Sequence, residues 1–333
     1  MTNVQTRRCF LSGLSAAGAA PLFGRDRSFA ASEPRPETTT VRLPKFPRTD
    51  CLAAEYVAGE LLAAEGFNDV RFVTPASALM GGRKEIDFDF GFVPVHVSAI
   101  ADGAPIKLLA GLHSGCLELI ANDRVQSVKD LMGKRVGIDR LFSEPHVFVS
   151  LMVSYIGLDP KNDIQWIENE SVTAMSLFIK GEIDAFLAIP PEPQELRARR
   201  IGHTILNSTV DPPWSQYFCC MVSGSADYVS LYPFATKRVL RAIIKAAELC
   251  ASSPEIAARY LVEHGFSDRY DYAVQTLREV RYDRWRDFDP EDSIRFYANR
   301  MHEAGMIKSS PQKIIDEGAD WRFLDELKRE LKT

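Results

Sequence analysis

Val128-Lys129-Asp130-Leu131-Met132-Gly133-Lys134-Arg135-Val136-Gly137-Ile138 reads as a short helix, Val128 to Met132, a glycine stop, and a strand from Arg135 to Ile138. A second stretch, Lys180-Gly181-Glu182-Ile183-Asp184, ends a helix that begins at Ser171 and opens a strand from Ile183 to Ile189. The earlier phrase Lys84-Glu85-Ile86-Asp87 does the same ahead of a strand from Ile86 to Phe90. In each case a charged turn is followed at once by residues that must enter a core. The two phrases suggest a weak internal duplication; the alternative is chance similarity between charged turns.

Outward from these stretches the pattern alternates. Strands are expected at Thr39 to Phe46, Asp69 to Thr74, Ile106 to Leu112 and Ile164 to Ile167, with helices at Leu52 to Glu65, Val93 to Ala101 and Glu144 to Ile156. Strands separated by helices imply an α/β fold with parallel pairing and helices on both sheet faces. From Phe234 the chain turns helical, with spaced apolar residues in Thr236 to Cys250, Pro254 to Glu263, Tyr270 to Val280, Pro290 to Ala304 and Trp321 to Leu331. Having no strands of its own, this last third is expected to pack on the first lobe.

Composition bounds the function. At 333 residues, 46% apolar and 26% charged, the chain is that of a globular protein and not of a disordered or collagen-like one. A net charge of -5 without a basic patch argues against phosphate-driven nucleic-acid binding. The six cysteines form no Cys-x-x-Cys pair and no Cys/His group at metal spacing, which leaves no zinc site or disulfide scaffold in view. Cys219-Cys220 lies in an apolar run and reads as strand packing rather than catalysis. No Gly-x-Gly-x-x-Gly is present, Gly133-Lys134-Arg135 is not a P-loop, and the serine of Gly111-Leu112-His113-Ser114-Gly115 falls one place late for a nucleophile elbow. His302-Glu303 has no second histidine four residues on. A chain this large without nucleophile, cofactor loop or metal motif reads as a binder.

The first residues read as an address. Arg7-Arg8 precedes a weakly apolar run, Phe10 to Phe23, too short to span a bilayer; Arg25, Arg27 and a small-residue site at Ser28-Phe29-Ala30-Ala31 follow. Residues 1–31 therefore resemble a twin-arginine signal, and 32–38 a linker. Its removal takes four arginines and Asp26, leaving a net charge of -8 and an odd five cysteines. Cys9 precedes the apolar run, so the expectation is a periplasmic protein without a lipid anchor.

Lys84-Glu85-Ile86-Asp87-Phe88, Asp102-Gly103-Ala104-Pro105-Ile106, Val128 to Ile138, Gly157-Leu158-Asp159-Pro160 and Lys180 to Ala185, in this order, resemble the solute-binding proteins of ABC transporters in the nitrate, sulfonate and taurine group. That superfamily also includes proteins similar to the thiamine-pyrimidine synthases. The resemblance covers about residues 50 to 250. It implies a type II periplasmic-binding-protein fold: two α/β lobes joined by two crossing segments, with a helical C-terminal third and a solute in the cleft. The first crossing is expected near Leu117 to Asp123 and the second near Ser215 to Val222. Lobe 1 would then be 39–120 with 218–333, and lobe 2 would be 121–217. The implied function is capture of a small organic anion (sulfonate or carboxylate) or a heterocyclic precursor. Delivery would be to an ABC permease and its ATPase, by a monomer that binds no nucleic acid and needs no cofactor or metal. The alternatives are a solute sensor, or a thiamine-pyrimidine-synthase-like enzyme using a pyridoxal-type cofactor. Such enzymes need a reactive lysine and a cysteine-rich iron site, for which Cys219-Cys220 alone is a poor substitute.

Strand ends facing the cleft select the candidate contacts. Arg48, after the first strand, is either an anion contact or a solvated loop charge. Asp89, Phe90 and Gly91 follow the first charged phrase; Gly91 permits close approach, and Phe90 either covers a ligand or belongs to the core. Ser143 caps the helix opened by Glu144 and offers an anion site at its free amides. Glu144 departs from that pattern, because its charge repels an anion. His113 and Ser114, just before the first crossing, are polar groups needing partners. Ile189 ends a strand at the cleft, and Trp214 either stacks on a ligand or packs the hinge.

Overall fold

The computed structural model describes residues 33–46, 49–74 and 85–331. The first lobe opens with β1 (Thr40–Pro44), which pairs in parallel with β2 (Asp69–Val73) across helix α1 (Ala53–Leu62). Then follow β3 (Phe88–Phe92), α2 (Val93–Ala101) and β4 (Ile106–Ser114). The second lobe holds β5 (Glu118–Ala121), β6 (Arg135–Ile138), α3 (Glu144–Tyr155), β7 (Gln165–Glu168), α4 (Ala174–Ile179), β8 (Ala185–Ala188), α5 (Glu192–Arg199) and β9 (His203–Asn207). The chain then returns as β10 (Phe218–Ser225), and the remainder is helical: α6 (Ala226–Leu231), α7 (Pro233–Ser252), α8 (Pro254–Glu263), α9 (Tyr270–Glu279), α10 (Pro290–Glu303), α11 (Pro311–Gly318) and α12 (Arg322–Glu330). Among the described residues no helix is long and apolar enough to cross a membrane.

The sheets are mixed, which corrects the expectation of purely parallel pairing. In the order β3-β10-β4, β10 runs antiparallel to both neighbours; in the order β7-β6-β8-β5-β9, β5 runs antiparallel to β8 and β9 while β6, β7 and β8 are parallel. The two odd strands are the ones that arrive from the other lobe. A strand entering from the cleft meets its sheet at the carboxyl ends of the parallel strands, and so must run against them. The crossings themselves fall at 115–117 and 208–217, a few residues before the expected positions, because Glu118 and Phe218 are already paired in sheets. Ser208 ties the two crossings together: its Oγ accepts from the amides of Cys116 (3.2 Å) and Leu117 (3.0 Å) and donates to the Leu117 carbonyl (2.9 Å).

The repeated charged phrases occupy matching places. The amide of Arg42, in β1, donates to the Asp87 carboxylate (2.7 Å), the Asp87 amide returns a bond to the Arg42 carbonyl (2.8 Å), and the guanidinium closes on the same carboxylate (2.6 Å). In the second lobe the amide of Arg135, in β6, donates to Asp184 (3.1 Å), the Asp184 amide returns to the Arg135 carbonyl (2.8 Å), and the guanidinium again clasps the carboxylate (3.1 Å). In each lobe an aspartate just before one strand fixes the register of an arginine on another. This matched geometry supports duplication over chance.

The helical third packs on the first lobe. Arg241 of α7 is buried and donates to the Glu65 carboxylate (2.9 Å) beyond the end of α1, while Ala319 bridges to Leu108 of β4. At the start of α4, Thr173 and not Ser171 supplies the cap, accepting from the Ser176 amide (3.3 Å). Ser171 is drawn away by a bond from its own amide to the Asn169 side chain (3.0 Å).

Candidate functional site

Residues just beyond the carboxyl ends of β1, β3, β6 and β8 meet around a cavity of about 240 Å³. The first lobe contributes Thr49, Cys51 and Leu52 ahead of α1, Phe90 and Gly91 of β3, and Cys220 of β10. The second contributes Arg140, Phe142, Ser143 and Glu144 at the start of α3, and Ile189 after β8. The lobes touch beside it, where the Asp50 amide donates to the Pro190 carbonyl (3.1 Å).

The sequence candidates divide. Phe90, Gly91, Ser143, Glu144 and Ile189 line this cavity together. Asp89 does not: it lies toward the amino end of β3, in a separate cavity of about 410 Å³ with Arg42, Asp87 and Tyr228. Trp214 is buried, packs edge-on against Phe148, Tyr155 and Phe296, and is not in the cavity lining. Ser114 is buried away from the cavity, its amide facing the Arg281 carbonyl (3.4 Å). His113 is buried, bonded through Nδ1 to the Gly115 carbonyl (2.8 Å), and edge-on to Tyr282. Arg48 and Lys84 lie outside the described residues.

Ser143 precedes α3 as expected, but its side chain caps nothing: Oγ is buried and makes no hydrogen bond. Pro145 removes one amide from the first turn, and the orphaned hydroxyl stands in the cavity lining beside it. The apparent obstacle at Glu144 disappears on inspection of its surroundings. Burial, with a smaller repulsion from Cys220, holds its carboxyl well above the usual carboxylate range. That shift favours the neutral, donating form over the charge that would repel an anion. Arg140 is the cation of the lining among the described residues.

The sequence reading missed the floor. Cys51, His113, Cys116, Cys219 and Cys220 are all buried, and the ligating atoms of two overlapping trios, Cys51–His113–Cys116 and Cys116–Cys219–Cys220, each lie within 4.8 Å of one another. This corrects the expectation that no Cys/His group exists. Motif spacing finds only ligands close in sequence, whereas these come from the start of α1, the end of β4, the first crossing and the cleft end of β10. The signal available was that all but Cys51 stand at a strand end or crossing. Cys219-Cys220 does sit in a buried strand, as expected. The hydrogen bond with Cys116 brings Cys51 and Cys219 each down to about 7. Burial presses His113 toward its neutral form, but the charge and hydrogen bonds of Cys220 and Cys51 outweigh it and leave it raised.

A family model described as the NMT1-like family matches residues 37–263. The chain belongs to the NMT1-like family. No curated protein matches it. Among solved structures, this NMT1-like chain is similar to the periplasmic nitrate-binding protein NrtA from Synechocystis PCC 6803, at 16% identity over 90% of each chain with a TM-score of 0.75. It is also similar to the alkanesulfonate-binding protein SsuA from Xanthomonas axonopodis pv. citri bound to MOPS, at 14% identity over 85% of this chain and 99% of that one, with a TM-score of 0.67. A Candida albicans gene product exhibiting the generic periplasmic binding protein fold matches at 16% identity, 85% and 96% coverage and a TM-score of 0.67. At these identities the likeness concerns the fold, and it bears out the periplasmic-binding-protein architecture.

Proposed function

We propose that this NMT1-like protein is the solute-binding component of an ABC importer, capturing a small organic anion by closure of its two lobes. The carrying observation is the interlobe cavity of about 240 Å³, lined by Arg140 and the orphaned Ser143 hydroxyl at the start of α3. Positive charge, an unused donor and a helix N-terminus suit a carboxylate or sulfonate head. Phe90, Phe142 and Ile189 suit a short apolar body. Closure requires no bond to be broken; a ligand touching both lobes favours the closed state. The periplasm, reached with removal of 1–31, is the compartment this role requires, with the permease and ATPase as partners. We take 39–114 with 218–333 as lobe 1 and 118–207 as lobe 2, joined by the crossings at 115–117 and 208–217.

The pyridoxal-type enzyme reading needs a lysine in the cavity, and the described lining contains none. The test is a thermal-shift screen of sulfonates, aromatic carboxylates and pyrimidines, followed by Arg140→Ala against the solute giving the largest shift. Loss of one charge-assisted bond, about 1.5–3 kcal/mol, predicts a fall in affinity of about 10- to 100-fold. A folded protein stabilised by no small solute rejects the proposal.

A further inference from the structure

Four thiols and an imidazole converge beneath the cavity without an evident structural reason to do so. Each cysteine there is at most 4% exposed and His113 is fully buried, yet none of the thiols is in a disulfide. Cys116 Sγ stands 3.6 Å from Cys219 Sγ, and Cys219 Sγ 4.0 Å from Cys220 Sγ. A disulfide needs about 2.05 Å, so these are not bonded pairs. They instead bracket the edge of a tetrahedron of sulfurs around one ion: with metal–sulfur bonds of about 2.3 Å that edge is about 3.8 Å.

The histidine is oriented as a ligand. Its Nδ1 faces the Gly115 carbonyl at 2.8 Å, and since a carbonyl only accepts, Nδ1 carries the proton. In the neutral ring that a metal ligand requires, Nε2 presents a buried lone pair on the side of the Cys51 and Cys220 thiols, whose contacts otherwise favour its protonated form. A carbonyl behind one ring nitrogen and an open lone pair on the other is the arrangement that fixes a metal-ligating imidazole. Cys116 belongs to both trios, so it is the central ligand. Its backbone is held by the Ser208 hydroxyl (3.2 Å). An entry path exists, because Cys51 and Cys220 also line the cavity.

We propose that Cys51, His113, Cys116, Cys219 and Cys220 form a binding site for a soft, thiophilic d10 cation, Zn(II) or Cu(I), at the floor of the cleft. Sulfur-dominated donor sets with one imidazole select these ions over hard cations. Each thiol that ligates releases its proton to solvent, so uptake is accompanied by proton release. The inference is independent of the solute reading: a chain that binds anions but no metal, or metal but no anion, separates the two.

The test uses the full chain, fully reduced and stripped of metal. It is titrated with Zn(II) against a chromophoric chelator and, anaerobically, with Cu(I) against a Cu(I) chelator. We expect stoichiometric uptake of at least one ion, weakened at least 100-fold by Cys116→Ser and by Cys219→Ser. Cys250→Ser, which removes a buried thiol outside the cluster, should leave uptake unchanged. Because a cluster variant risks misfolding, X-ray absorption at the metal edge of the loaded wild type provides a second reading; it should show sulfur at about 2.3 Å. Any of four results overturns the proposal: no uptake of either ion by the reduced protein, uptake of Fe(II) alone, an oxygen-only coordination shell, or a Cys116–Cys219 disulfide that forms equally with and without metal.

Discussion

Gly115 stands between His113 and Cys116 with φ of +65°, a conformation that costs side-chain-bearing residues about 1 kcal/mol or more. A Cβ built there would come within 2.3 Å of the Thr209 backbone, in the second crossing, where nothing can swing aside. Gly115→Ala should therefore destabilise the protein by about 3 kcal/mol, the strain and the overpacking adding together, read as a lowered urea midpoint at unchanged slope. A change under about 1 kcal/mol would mean that the crossings are not locked here. Single residues also show what could be read without coordinates. Ser143 and Glu144 were legible because Ser-Glu-Pro is a helix start, and helix starts in this architecture face the cleft. Asp89 was misplaced by one position along β3, because the strand's amino end opens on a different cavity from its carboxyl end. His113 and Cys51 were invisible as partners because nothing in a one-dimensional pattern says that positions 51 and 113 converge.

The elements read best were those stabilised locally. The strand Arg135–Ile138 and the helix Pro254–Glu263 have the bounds expected from their own residues, glycine before one and proline at the first turn of the other. β5 and β10 were read as crossings or as an unassigned apolar run, since their pairing partners lie far away in sequence, Gly224 opposite Phe88 for instance, and across a hinge. The Arg135–Asp184 clasp joins two elements whose phrases were visible in the sequence but whose contact was not. Arg135 holds the Asp184 carboxyl well below the usual range, helped by the backbone amide of Arg135 and the side chain of Asn122. Folding therefore favours the ionised form, and this stabilisation is complete above about pH 4 and lost as the pH falls toward the lowered folded-state value. Asp184→Asn should cost about 2–3 kcal/mol at pH 7 and lose less further stability than the wild type between pH 5 and 3. Parallel acid limbs for the two proteins, by denaturant titration, would show that Asp184 does not titrate in this way.

On the scale of the whole molecule, one set of contacts joining the lobes is polar and lies beside the first crossing, where Arg197 also reaches Glu118. Gln194 and Arg197 of α5 both reach Glu279 of α9, at 2.8 and 2.7 Å, and the Asp50 amide meets the Pro190 carbonyl. Arg197 and Glu279 are 36% and 37% exposed, which puts the pair among surface ion pairs worth about 1 kcal/mol or less and sensitive to salt. The latch therefore biases closure without imposing it, leaving a bound solute to supply most of the difference between open and closed populations. Glu279→Ala removes the acceptor shared by both α5 side chains. We expect a larger radius of gyration in the solute-free variant by X-ray scattering, and a solute affinity lower by about fivefold, the equivalent of about 1 kcal/mol. Added solute should restore the wild-type radius, and raising the ionic strength should move the wild type toward the variant. An unchanged solute-free radius together with unchanged affinity would show that α5 and α9 do not form the latch, and would place the control of closure in the crossings at 115–117 and 208–217.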